Sequence, residues 1–231
     1  MGTAIIRLSE QREKALVKKV DALIQYGAYE RAIRCCEEFI EANPKSLSAH
    51  FVKHEVHIAM GRYEDSLQDA HDLLRNREYE REGLFLKLLS LTALLERPRA
   101  RLIRPRSGQR QKHPTQQFEE IAQKALTHYK GDTQIAYMIA EGYQLMGMKH
   151  EAAELLEEHL KTRPWDVHCL YQLGLIYQGS GEYEKAVRCY DRGLKSIEEY
   201  SQSFKENFSR LISDSRHEVL EKLGIDQIKG M

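Results

Sequence analysis

The stretch Val167–Tyr200, VHCLYQLGLIYQGSGEYEKAVRCYDRGLKSIEEY, holds the key to the architecture. Its apolar residues recur at helical spacing in two runs, broken at Gly181, so it describes two amphipathic helices joined by a tight turn. Within it, Leu173-Gly174, Tyr177, Tyr183, Ala186, Tyr190 and Gly193 alternate small and large side chains. Two helices that cross closely need a small residue where their axes approach and a plug where they diverge. Gly174 and Ala186 supply the first, Tyr177 and Tyr190 the second.

The same pattern recurs upstream. Gly27 and Gly61 are 34 residues apart, as are Gly147 and Gly181. Tyr29, Tyr63 and Tyr183 follow their glycines by two positions, and Ala32, Ala152 and Ala186 by five. Gly147 and Gly181 stand where a residue tolerant of positive φ ends a helix cheaply. Pro44 and Pro164 fall at the ends of second helices, and no proline interrupts a helix interior.

This period and these residues resemble the tetratricopeptide repeat, most closely over Val167–Tyr200. The resemblance implies an all-α, right-handed α-solenoid of about five helix pairs, with residues 1–231 forming a single domain. The copies run Glu13–Ser46, Leu47–Glu80, Thr133–Asp166 and Val167–Tyr200, with an interrupted copy at 81–132. In that copy Leu84, Leu88 and Leu91 open on schedule, while Phe118, Ile121, Ala122 and Ala125 arrive about 18 residues late. After Tyr200 the spacing of Phe204, Phe208, Leu211, Ile212, Val219, Leu220 and Leu223 predicts a capping helix pair over 201–231.

Composition agrees with one elongated helical domain, at 42% apolar and 30% charged residues. Lys plus Arg and Asp plus Glu both total 35, so the chain lacks the basic excess of a general nucleic-acid binder. The longest apolar run, Leu84–Leu95, holds Lys87 and is too short to span a bilayer core of about 30 Å. The N-terminus carries neither a signal-length apolar run nor a complete myristoylation signal. The expectation is a protein of the cytoplasm or nucleus. Cys35, Cys36, Cys169 and Cys189 lack CxxC or zinc-finger spacing and read as packed, reduced thiols.

Three features bear on chemistry. His50, His54 and His57 share one helix face at spacings of four and three, an arrangement that could hold a transition metal, with His71 on the partner helix. The repeat register instead points them into the packing between helices, so no metal and no cofactor is expected. The insertion, about 97–114, carries Arg97, Arg99, Arg101, Arg104, Arg106, Arg110 and Lys112, seven positive charges in sixteen residues. This basic arm is either a tolerated loop or a contact for an acidic protein surface, RNA or phospholipid.

The third feature follows from the resemblance, which implies that the first helix of each repeat lines a concave, ligand-binding face. Its fifth positions hold Val17, Phe51, Phe85, Tyr137 and Tyr171, joined by Leu89, Leu145 and Leu175 and flanked by Glu55, Glu82 and Glu141. Such a groove suits a peptide or amphipathic helix with apolar anchors. The alternative is that the chain's own C-terminal Phe204 and Phe208 fold back onto it. The family's clamp for acidic chaperone tails needs Lys, Arg and Asn. Those positions hold Val17, Asp21, Val52, Glu82 and Leu86, or, one repeat later, Phe51, Glu55, Leu86, Gln134 and Met138. Neither frame makes that clamp.

Catalytic signals are missing. There is no nucleotide-binding glycine pattern, and His150-Glu151-Ala152-Ala153-Glu154 lacks the second histidine of a zinc-protease motif. The expected protein is a non-enzymatic interaction scaffold or adaptor. The other reading is a subunit of a ribonucleoprotein or other large assembly that contacts nucleic acid or an acidic surface through the basic arm.

Overall fold

The structure, a computed structural model, describes residues 2–96 and 113–224. The chain forms two compact units, residues 1–102 and 103–231. The described residues are helical, with no strand among them.

The first unit holds α1 (Gly2–Gln25), α2 (Tyr29–Ala42), α3 (Leu47–Ala59), α4 (Tyr63–Leu74) and α5 (Glu80–Glu96), with a 3-10 turn at Arg77–Tyr79 before α5. Each helix packs on the next, and α3 also touches α1 and α5. The core begins with Leu16 and Val20 of α1 against Ala32, Ile33 and Cys36 of α2 and Val52 and Val56 of α3. It continues with Ala70 and Leu73 of α4 against Leu86 of α5. The second unit holds α6 (Pro114–His128), α7 (Thr133–Leu145), α8 (Lys149–Thr162), α9 (Val167–Gly179), α10 (Tyr183–Ser196) and α11 (Gln202–Lys222). Its core joins Leu156 and Leu160 to Leu170, Leu173, Tyr190 and Ile212.

Two local devices set these helix pairs. The first is the turn inside a pair. Gly181 adopts φ +78°, its N–H donates to Gln178 O, and the next N–H, of Glu182, donates to Tyr177 O. These are the two bonds of a Schellman ending, and they need a residue without a Cβ at that φ. Gly27, Gly61 and Gly147 make the same pair of bonds, which accounts for the 34-residue beat. The second device opens the next pair. Ser46, Asp132 and Asp166 cap α3, α7 and α9, each side chain accepting from the backbone N–H three residues on.

The chain after Tyr200 departs from expectation. Residues 202–222 form one helix, α11, where the spacing predicts a pair. The reason lies in the sequence: no glycine or proline falls between Gln202 and Lys222, so nothing ends the helix until Gly224, at φ +70°. At the other end α1 begins at Gly2, well before Glu13.

In the second unit a close approach falls at Gly174, where an added Cβ would lie 2.4 Å from the fully buried Tyr190 ring. Gly174→Ala is expected to destabilise the protein by about 1–3 kcal/mol in chemical denaturation, because overpacking outweighs the gain in helix propensity. Gly179→Ala, whose Cβ would meet only the tip of Lys149 at 3.6 Å, should be close to neutral.

The first unit buries a histidine in a single protonation state. His54 is fully buried, with Nε2 3.1 Å from Leu86 O and 2.8 Å from Ser90 Oγ. Leu86 O can only accept, so Nε2 carries the hydrogen and Nδ1, which has no partner, is a bare lone pair. Loss of solvation holds this imidazole down at about 4, against 6.5 for a free one; His57 adds to the shift, while Asp69 and the bond to Leu86 O oppose it. The unfolded chain therefore binds a proton below about pH 6.5 that the folded chain refuses until about pH 4. Stability is fully present above pH 6.5 and is lost as pH falls toward 4. The loss attributable to His54 is expected to be on the order of 2–3 kcal/mol, read as the difference in acid sensitivity between the wild type and His54→Asn in urea titrations at pH 7 and pH 4.5.

Candidate functional site

The three histidines on α3 do not converge on a common point. His50 Nε2 lies 3.3 Å from Pro44 O, His54 is committed to Leu86 and Ser90, and His57 Nδ1 lies 2.6 Å from Asp69 Oδ2. Asp69 also holds Lys53, at 3.2 Å. His71 Nε2 instead stands 3.3 Å from Lys87 Nζ. Each imidazole is therefore a packing or hydrogen-bonding residue of its own neighbourhood. The cysteines are free; Cys36, Cys169 and Cys189 are buried, and burial pushes each thiol up, Cys36 to about 12 and Cys189 to about 11.

The predicted groove residues fall into two separate faces. In the first unit, Phe51 of α3 and Phe85 of α5 come together, ring centroids 6.0 Å apart at 33°, and pack over Ala70, Leu73 and Leu86. Leu89 joins the same cluster, and Glu55 stands exposed one turn along α3. Partial loss of solvation, and then the charge of Asp21, raises the Glu55 carboxyl above its ordinary value. This face thus offers paired aromatic rings beside a carboxylate that binds a proton more readily than usual.

In the second unit the aromatics are treated differently. Tyr137 of α7 is half-buried, and its hydroxyl is raised first by burial and then by Glu141. Tyr171 of α9 is covered by α11: the Phe208 ring meets it edge-on at 5.5 Å, and its hydroxyl lies 3.4 Å from Ser215 Oγ. Phe204 and Phe208 stack at 5.0 Å, and both also pack against His168. On α9, then, the chain's own helix covers the predicted groove residue. Leu175, one turn further along α9, remains 38% exposed. The basic arm, Arg97 to Lys112, lies outside the described residues.

One cluster is absent from the sequence expectations. His159 at the end of α8, Asp166 at the cap of α9 and Cys169 in its first turn place one ligand-type atom each within 4.8 Å of one another, all buried. The signal is present as a histidine seven residues before, and a cysteine three residues after, a capping aspartate. It straddles a helix junction, where single-helix periodicity does not look.

The family profile of the tetratricopeptide repeat matches residues 167–200. Among solved structures, a thermophilic tetratricopeptide repeat protein of Thermus thermophilus superposes with a TM-score of 0.62 at 16% identity, covering 88% of this chain and 98% of that one. MamA of Desulfovibrio magneticus RS-1 superposes at 0.52 with 10% identity, over 82% and 97%. At these identities the likeness is one of fold. A curated relative, response regulator aspartate phosphatase J of Bacillus subtilis (strain 168), is 32% identical over 112 residues, 40% of this chain and 30% of the relative. The match thus spans under a third of that relative's length. No described helix is long and apolar enough to cross a membrane. Residues 167–200 thus match a tetratricopeptide repeat, and the described helices share the fold of tetratricopeptide repeat proteins.

Proposed function

We propose that this protein is a non-enzymatic interaction scaffold of the cytoplasm or nucleus, binding a peptide or amphipathic helix of another protein through apolar anchors on its odd-numbered helices. The observation that carries this reading is the Phe51–Phe85 pair, held at 6.0 Å on two helices. Rings fixed by packing present contact area that loses little entropy on binding. Glu55 beside them favours a ligand with a donor or cation next to its apolar anchor. In the second unit, Tyr137, Glu141 and Leu175 make the corresponding surface, with Tyr171 committed to α11.

The second reading rests on the seven positive charges between Arg97 and Lys112, which suit nucleic acid or an acidic protein surface. Salt separates the two. Contacts through apolar anchors survive moderate ionic strength, whereas phosphate contacts weaken steeply with it.

Three variants test the proposal: Phe51→Ala with Phe85→Ala, Tyr137→Ala, and a deletion of residues 97–112. Each is used with the wild type to capture partners from native extract, and the affinity for any captured partner is then measured. The aromatic variants are expected to cost about 1–3 kcal/mol of affinity each, on the scale of interface hot spots, while the deletion leaves binding unchanged at moderate salt. Unchanged affinity in the folded aromatic variants, with loss on deletion, would reverse the assignment. Tyr171→Ala should act otherwise, lowering stability by about 2–4 kcal/mol through its lost contacts with α11.

A further inference from the structure

We propose that His159 Nε2, a carboxylate oxygen of Asp166 and Cys169 Sγ form a binding site for a divalent transition-metal ion of the zinc class. All three residues are buried, at 6%, 8% and 0% exposure, and the three atoms lie within 4.8 Å of one another. His159 Nε2 and Asp166 Oδ2 are 3.0 Å apart, and Thr133 Oγ1 donates to the same Oδ2 at 2.6 Å. Zinc bonds of about 2.0–2.3 Å place ligand atoms roughly 3.3–3.7 Å apart at the corners of a tetrahedron. The trio reaches that spacing with side-chain shifts of about 1 Å.

Helix capping does not explain this set of residues. Asp166 caps α9 by accepting from Cys169 N–H at 3.2 Å. The two equivalent junctions do the same work with neither a histidine nor a cysteine at the matching positions. Ser46 caps α3 at 3.3 Å with Phe39 and Ala49 in place of the histidine and the cysteine. Asp132 caps α7 at 3.0 Å with Ala125 and Ile135 in those positions. Of these three junctions, the one at Asp166 brings an imidazole and a thiol to the cap.

Charge and access fit the same ion. A dication held by one carboxylate and one thiolate leaves no net charge in the buried site, which removes the main cost of placing an ion there. On binding, Cys169 gives up its thiol proton and His159 Nε2 its hydrogen, so both donors present lone pairs to the ion. Nitrogen and sulfur beside a single oxygen favour zinc, cobalt or nickel over magnesium and calcium. His159 also borders a cavity of about 590 Å³ among α6, α7 and α8, lined by Leu126, Tyr129, Ala136 and Leu155. That cavity brings solvent to the His159 side of the site.

The test is cobalt titration of the reduced, chelator-stripped full chain. Tetrahedral absorption with a thiolate-to-cobalt charge-transfer band, saturating at one ion per chain, is expected, and zinc should displace the cobalt and raise the thermal midpoint. Cys169→Ser should abolish the charge-transfer band, and His159→Gln should weaken binding more than about tenfold. Cys36→Ser and Cys189→Ser should leave both unchanged. The absence of a charge-transfer band in the wild type, or its persistence in folded Cys169→Ser, overturns the proposal. If Cys169→Ser does not fold, X-ray absorption of the zinc-loaded wild type decides: a shell with one sulfur supports the site, and a shell without sulfur refutes it.

Discussion

Neighbouring helices in this protein come so close that one of them must give up its side chain at the crossing. An added Cβ at Gly142 would lie 2.0 Å from the Phe118 ring, one at Gly174 2.4 Å from Tyr190, and one at Gly83 2.7 Å from the Leu74 side chain. Phe118 and Tyr190 are fully buried, so neither can swing aside without opening a void. The large residue and the glycine beneath it are therefore one unit of packing. The interhelical angle, the side chains that reach the surface and the register of the following turn all depend on that fit.

The turns carry the arrangement along the chain. A glycine at positive φ closes each of four helix pairs with the same two backbone bonds, and a serine or aspartate opens three of the helices that follow. Both devices are local, and neither depends on which residues face outward. A scaffold with such joints can vary its exposed faces freely, which is the physical basis for placing recognition there. A joint can also gather further polar groups, as at Asp166, where a histidine and a cysteine lie beside the cap.

Helix α11 covers one side of the α9–α10 pair. Its Phe204 and Phe208 occupy the ring faces that Tyr171 and His168 would otherwise offer, so the last repeat is finished rather than open. The helix carries aromatics on one face and charges elsewhere, and covers the apolar side of α9 as a neighbouring repeat would. The same contact that stabilises this side of the second unit covers one of the four fifth-position aromatics.

Much of this was legible in residue order because the governing interactions are short-ranged. Gly27, Gly61, Gly147 and Gly181 announce their turns, since positive φ is a property of a single residue, and the spacing of small and large side chains around Gly174 announces the helix pair. Residue order was therefore enough to set those four turns and the helix pairs they join. Contacts between residues far apart along the chain were not written there. Whether α3's histidines would converge depended on Leu86, Ser90 and Asp69 on other helices, which drew His54 and His57 apart. Whether Tyr171 would be open depended on one unbroken helix returning across it, and whether His159 would meet Cys169 depended on the angle between α8 and α9. Those outcomes belong to the packed molecule, because they are set by which side chains occupy the same volume, and periodicity carries no information about that.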